Sequence, residues 1–441
     1  MITPEQQTDI LARLGITTLN PMQEAAQKAI LADNDTFLIA PTGSGKTLGF
    51  LLPILQLLSP DQPQVQCLIL SPSRELALQI EQVWKKMATG YKVNVCYGGH
   101  PVETEIKNLS NPPALLIGTP GRIADHITRR TFSLDGIHTL VLDEFDKSLV
   151  MGFHDEMAFI IGGLRNLRKR VLVSATSTIS IPDFVRLYKP TTLTFTPENV
   201  EQTGLTTHVV YAQSADKFDT LFRLLGSLNS EGALIFCNLR ETSDQTSDQL
   251  AERGIQSLIY HGGMEQADRE RALIQFRNGS VRYLVTTDLA ARGLDIPEMK
   301  HVIHYQLPLH EAEFTHRNGR TARMHASGTA YIILSPNEET PAYLPTSLDE
   351  LVLPTGKPAL PKPADFVTLY VSGGKKNKLN KVDIVGFFSQ KGQLDKGDLG
   401  LIEVKDFMSF VAVKRDKVED LLEKISQEKM KGKKYKIEIA R

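Results

Sequence analysis

Cysteine and tryptophan are both scarce in this chain of 441 residues, with three of the former and one of the latter. Cys67, Cys96 and Cys237 are odd in number, far apart and each next to an apolar residue, which argues against a disulfide framework or a cysteine-based zinc site. They read as core thiols of a reducing compartment. No run of eighteen apolar residues occurs, so no transmembrane helix and no membrane partner is expected. The opening residues Met1-Ile2-Thr3-Pro4-Glu5 lack a basic segment followed by an apolar stretch, and a cytoplasmic location is the expectation. A strong net charge is missing too: the balance is -1.

That average conceals an asymmetry. Residues 365–441 hold 17 Lys+Arg against 12 Asp+Glu, a net +5, and the remainder is net -6. Only the tail is basic enough to attract phosphate by itself. With 41% hydrophobic and 23% charged residues the composition is that of a globular protein, and the length suits two domains of about 200 residues with a small third.

The periodicity supports three domains. From residue 36 to about 190, short β-branched runs alternate with longer amphipathic stretches, the pattern of a parallel sheet flanked by helices. A second alternating block begins near residue 207, after a Pro- and Thr-rich stretch. Seven prolines between Pro336 and Pro363 then read as an extended tether. The last 77 residues follow the order βαββαβ. The expected boundaries are 1–195, 205–337, a linker at 338–364, and 365–441.

Polar motifs sit where the runs of the first block end, and in open α/β sheets such ends share one ligand-binding rim. Ala40-Pro41-Thr42-Gly43-Ser44-Gly45-Lys46-Thr47 follows a strand and opens a helix, so its backbone N–H groups and the helix terminus suit phosphate oxygens. Lys46 is placed for the β- and γ-phosphates and Thr47 for Mg²⁺. Asp143 in Asp143-Glu144-Phe145-Asp146 supplies the metal-side carboxylate, partly through water, and Glu144 is the group to orient or deprotonate the attacking water. Taken singly, the loop is also an ordinary turn and the acidic tetrad a solvated one. The first block has no evident arginine for the far side of the γ-phosphate; Arg320 and Arg323 in the second, three apart on a helix, suit arginine fingers. A solvated basic helix is the alternative for that pair.

From about residue 17 to 323 the chain resembles a DEAD-box RNA helicase, with the motifs in the family's order. The resemblance implies two tandem RecA-like parallel-sheet domains of the α/β class. Pro21-Met22-Gln23 resembles the Q motif, in which Gln23 reads adenine, so the implied nucleotide is ATP, held with Thr42, Gly43, Ser44, Gly45, Lys46 and Thr47. Ser174-Ala175-Thr176, Asp146, Asp288 and His316 are implied to couple hydrolysis to RNA, and Asp295 to serve the nucleotide side. RNA is implied to be held through its backbone by Arg74, Gly99, Thr119 and Arg122 in one domain and Gly263, Arg269 and Thr286 in the other. The family's usual alanine in the second motif is Phe145 here, expected to pack inward.

Residues 365–441 resemble the RNA-binding domain of DbpA-type helicases, an RRM-like α+β module. That implies structured ribosomal RNA of the large subunit and pre-ribosomal particles as partners, with the chain acting as a monomer. The expected contacts are Lys375, Lys376, Lys378, Lys431, Lys433 and Lys434 rather than base stacking on the sheet, because the third strand keeps few aromatics outward. Two other functions fit the same motifs: an ATP-responsive RNA clamp or scaffold impaired by Phe145, and a translocating DNA helicase of the wider superfamily.

Overall fold

The computed structural model describes the whole chain except residues 1–2, 42, 177–179, 196–203, 291–295, 297–298, 322–326, 337, 345–347, 357 and 441. It divides into two compact units, residues 1–202 with 293–295, and residues 203–292 with 296–441.

The first unit is built on seven parallel strands, β1 (Thr36–Ile39), β2 (Cys67–Leu70), β3 (Val93–Cys96), β4 (Leu115–Gly118), β5 (Thr139–Leu142), β6 (Lys169–Ser174) and β7 (Thr191–Thr194), in the order β3-β4-β2-β5-β6-β1-β7. The middle of each central strand is apolar because both faces are covered. Leu38, Ile69, Ile117, Val141 and Val173 face one core, and Phe37, Ile39, Leu70, Leu142 and Leu172 face the other. The helices start on strong local signals. Thr3 and Asn20 each close a capping box onto a glutamine three residues on, with proline at the first helical position.

The second unit repeats the scheme with β8 (Leu205–Tyr211), β9 (Ala233–Phe236), β10 (Ser257–Tyr260), β11 (Tyr283–Thr286), β12 (His301–His304), β13 (Gly328–Leu334) and β14 (Asp349–Glu350), in the order β10-β11-β9-β12-β13-β8-β14. The strand β14 lies inside the proline-rich stretch. That stretch is fastened down: Leu351 and Leu353 pack on the core, Arg223 donates to the Gly356 carbonyl at 2.8 Å, and the Lys362 amide donates to Ser230 at 2.8 Å. Prolines that bar a helix or central strand still allow a strap whose hydrogen bonds go to another element.

The tail forms a four-stranded antiparallel sheet from β15 (Phe366–Val371), β16 (Leu399–Val404), β17 (Ser409–Lys414) and β18 (Ile437–Ile439), in the order β16-β17-β15-β18, with helices Lys381–Gln390 and Val418–Ile425. Leu369, Val371, Val411 and Val413 point to the helix side. The opposite face meets the second parallel-sheet domain, where Thr368 is buried against Asn278 and Ser280 and Arg277 pairs with Glu403. All three thiols are buried, Cys67 in β2, Cys96 in β3 and Cys237 just beyond β9.

Candidate active site and RNA interface

The phosphate loop leaves the carboxyl end of β1 and closes on Gly45, which has φ +84° and starts the helix Lys46–Leu57. A Cβ at this position would lie 2.5 Å from the Gln23 side-chain nitrogen, and the left-handed backbone favours glycine, so the loop can approach the helix Pro21–Leu31 this closely. Gln23 donates to the Gly45 carbonyl at 3.2 Å while its oxygen accepts the Asn20 amide at 3.0 Å, and Asn20 donates to the Ser44 carbonyl. The residue implied to read adenine thus also caps a helix and braces the loop. Asn20 went unnoticed in the sequence; its capping spacing ahead of Pro21 was the available signal. The Lys46 ammonium is buried and donates to the Ala40 and Pro41 carbonyls at 2.7 and 3.1 Å.

Two strands away, Asp143 and Glu144 follow β5 and are both buried. Burial first, and the neighbouring Glu144 charge second, push the Asp143 carboxyl up to about 7 against the pull of Lys46 and Lys147. Lys147 pairs with Glu144. A buried pair of acids at a strand end is a donor set of the kind a hard divalent cation takes. Phe145 is fully buried in the second core cluster, so its ring is accommodated beside the carboxylates as the sequence led us to expect. Asp146 is buried one residue on. At the end of β6, Ser174 donates to the Thr176 carbonyl and accepts its amide, and the Ser174 carbonyl accepts the Ala40 amide at 3.1 Å. The Ser-Ala-Thr turn is therefore tied by one bond to the start of the phosphate loop.

The four residues implied to hold RNA in this unit come from neighbouring strand ends. Arg74 opens the helix Arg74–Met87 after β2 and lies 4.4 Å over the Tyr97 ring. Gly99 follows β3 with φ +93°. Thr119 immediately precedes the helix Pro120–Thr128 after β4, and Arg122 in its first turn donates to the His100 carbonyl at 2.7 Å.

In the second unit Thr286 is fully buried and its hydroxyl donates to the Tyr260 carbonyl at 2.6 Å. Gly263 donates to His261, and Arg269 to Gln266. His316 and Arg320 are buried on and beside the helix Glu311–Asn318. Arg317, not singled out from the sequence, is fully buried and forks onto both Asp288 carboxylate oxygens at 2.7 and 3.0 Å while donating to Asn238 and the Gln306 carbonyl. It ties Asp288, beyond β11, to the ends of two other strands, β9 and β12. Its only signal was membership of a basic run. Thr42, Asp295 and Arg323 lie outside the described residues.

The tail brings its two lysine clusters together. Lys375 and Lys376 sit on a short 3-10 turn, and Lys431 donates to the Lys378 carbonyl at 3.0 Å and to Asp383 at 2.8 Å. Lys375, Lys376, Lys378, Lys433 and Lys434 are exposed. On the sheet, Tyr370 and Phe410 pair edge to face at 5.8 Å, but Phe410 is buried and the neighbouring Thr368 meets the second domain. The RRM-type stacking face is thus partly covered.

Three family models match in sequence: DEAD/DEAH box helicase over residues 20–184, helicase conserved C-terminal domain over 216–325, and DbpA RNA binding domain over 368–439. The chain is 34% identical to the ATP-dependent RNA helicase DbpA of Escherichia coli, over 99% of this chain and 98% of that one. It belongs to the DEAD-box helicases of the DbpA type. The Bacillus subtilis DbpA is 32% identical over 98% of this chain and 96% of its own. Among solved structures, Saccharomyces cerevisiae Dbp5 bound to RNA and ADP BeF3 matches with a TM-score of 0.67 at 28% identity, covering 76% of this chain and 88% of that one. Mss116p bound to ssRNA and AMP-PNP matches at 0.68 and 26%, covering 80% and 78%. The DbpA-type chain is thus an RNA-dependent ATPase and RNA helicase, with two RecA-like domains and a separate RNA-binding module. Among the described residues no helix is long and apolar enough to cross a membrane.

Proposed function

We propose that this helicase acts, as a monomer, on structured ribosomal RNA of the large subunit during ribosome assembly, capturing it with the tail lysines while ATP turnover drives local opening. The observation that carries this reading is the convergence of the 375–378 and 431–434 lysine clusters on one surface of the tail module. Exposed cations on a small fold grip phosphates in a way that depends on RNA shape more than sequence.

Mg²⁺ fits the acid pair: Thr47 and Asp143 would hold it, partly through water, and bound there it neutralises charge on the β- and γ-phosphates. Lys46 holds the phosphate chain, Glu144 orients or deprotonates the attacking water, and Arg320 and Arg323 supply positive charge to the terminal phosphoryl group. Arg74, Gly99, Thr119, Arg122, Gly263, Arg269 and Thr286 bind RNA backbone.

The test is steady-state ATP turnover with a panel of RNAs. Large-subunit ribosomal hairpins should stimulate at much lower concentration than unrelated structured RNA of equal length, and equal stimulation would refute the target. In the same assay Glu144→Gln should lose roughly 10²- to 10⁴-fold in turnover, the usual contribution of a positioned base, while still binding ATP and RNA.

A further inference from the structure

Glu105 lies in the helix Val102–Leu109, inside a sequence, Val102-Glu103-Thr104-Glu105-Ile106-Lys107, that reads as a solvated face. The structure buries it almost completely, at 3% exposure. An ionised carboxylate taken out of water must be met by donors on both oxygens. Here one oxygen accepts the Tyr97 amide at 2.9 Å and lies 3.0 Å from the His100 ring, and the other meets His126 at 2.8 Å and Arg122 at 3.5 Å. His126 is itself fully buried, with its second ring nitrogen held at 2.9 Å by Thr131.

These partners sit on two different segments, the turn after β3 that carries Gly99 and the helix after β4 that carries Arg122. The first turn also carries Tyr97, whose ring supports Arg74 and packs edge-on to His100 at 4.6 Å. One carboxylate therefore links the turn that carries Gly99 to the helix that carries Arg122, and reaches Arg74 through the Tyr97 ring. We infer that Glu105 is a positioning residue for RNA: it touches no substrate, but it holds the Tyr97–His100 turn and the Arg122 guanidinium in the one arrangement in which three backbone-gripping groups act together. This rests on the reading of Arg74, Gly99 and Arg122 as RNA contacts.

The same carboxylate, with Cys96 and His126, brings three metal-ligating atoms within 4.8 Å of one another. Two features speak for a proton-bearing network instead. A guanidinium stands beside the carboxylate, opposing a cation, and burial, with Glu105 adding to it, holds the Cys96 thiol protonated well above its usual range.

The test exploits a sign. Deleting a negative charge near RNA-binding cations should, by long-range electrostatics alone, tighten binding to a polyanion. Positioning demands the reverse. In Glu105→Ala the RNA concentration giving half-maximal ATP turnover should rise roughly tenfold, as when the supporting shell of a site is removed. Turnover at saturating RNA should stay within about twofold, and the ATP KM without RNA should not move. Glu105→Gln keeps the size and the accepting oxygen but loses the charge facing Arg122; a rise of about threefold is expected, and this variant carries the test if the alanine variant does not fold.

Arg122→Ala is measured alongside. If it leaves the half-saturating RNA concentration unchanged, the RNA-contact reading itself fails. If it weakens RNA binding while both Glu105 variants bind as tightly as the parent or tighter, the reading stands and the positioning role is overturned. Stoichiometric zinc binding by the parent protein that Glu105→Ala abolishes would also overturn it, in favour of a metal site.

Discussion

A single buried side chain can set how a domain responds to acid, and His304 at the end of β12 is such a residue. It is fully buried, stacks on Phe314 at 4.6 Å and hydrogen-bonds Asn318. Desolvation first, and the Arg317 charge second, lower its imidazole to about 3. In the unfolded chain the same ring titrates near about 6.5. Between these values the unfolded state binds the extra proton, so stability is complete above about 6.5 and declines as pH falls toward 3. Going from pH 7 to pH 5 should cost the second unit about 2 kcal/mol through this residue. The check is the urea midpoint against pH: His304→Gln should flatten that part of the profile, and an unchanged slope would assign it elsewhere. Phe145 shows the other side of residue-scale logic. A ring where the family usually has a methyl group is absorbed by a core beside the acid pair.

At the level of elements, what was legible in the sequence was what is local. The phosphate loop, the acid tetrad and the Ser-Ala-Thr turn were readable because each is a short polar run at the end of an apolar strand, and strand ends of a parallel sheet face one rim. Contacts distant in the chain were not readable. The proline-rich strap looks like a free tether until β14 and Leu351 meet the second domain, and the two lysine clusters show their common surface only through a bond spanning 53 positions. Glu105 reads as solvated because its partners lie on other elements. The 375–378 turn depends on such a distant contact. A Cβ on Gly374 would sit 2.1 Å from the Lys405 carbonyl, and the turn is anchored by Lys375 and Lys376 amides donating to residues 405 and 406. Gly374→Ala should push the lysine turn off this anchor. Equilibrium RNA binding should weaken by roughly 1–2 kcal/mol, the worth of one or two such bonds, while ATP turnover at saturating RNA is kept; unaltered RNA affinity would show that this turn takes no part in capture.

Across the whole molecule, charge and chemistry are segregated. The tail carries the positive balance, the rest of the chain is net negative, and the proposed phosphate site lies at the strand ends of the first sheet. The RNA-binding module is docked on the second RecA-like domain through Thr368 and Glu403, so whatever it holds is carried with that domain. The three thiols add a property of a different kind. Each is enclosed by its sheet, and burial keeps all three protonated, with Cys237 pushed up to about 11. A protonated, enclosed sulfur does not meet an alkylating reagent until its own domain opens. Labelling rates measured by mass spectrometry should therefore resolve two clocks, a shared one for Cys67 and Cys96 and a separate one for Cys237. ATP should slow the first more than the second, because ligand binding protects the fold that binds it. Every molecule of the unmodified chain thus carries its own recorder of which half came apart first.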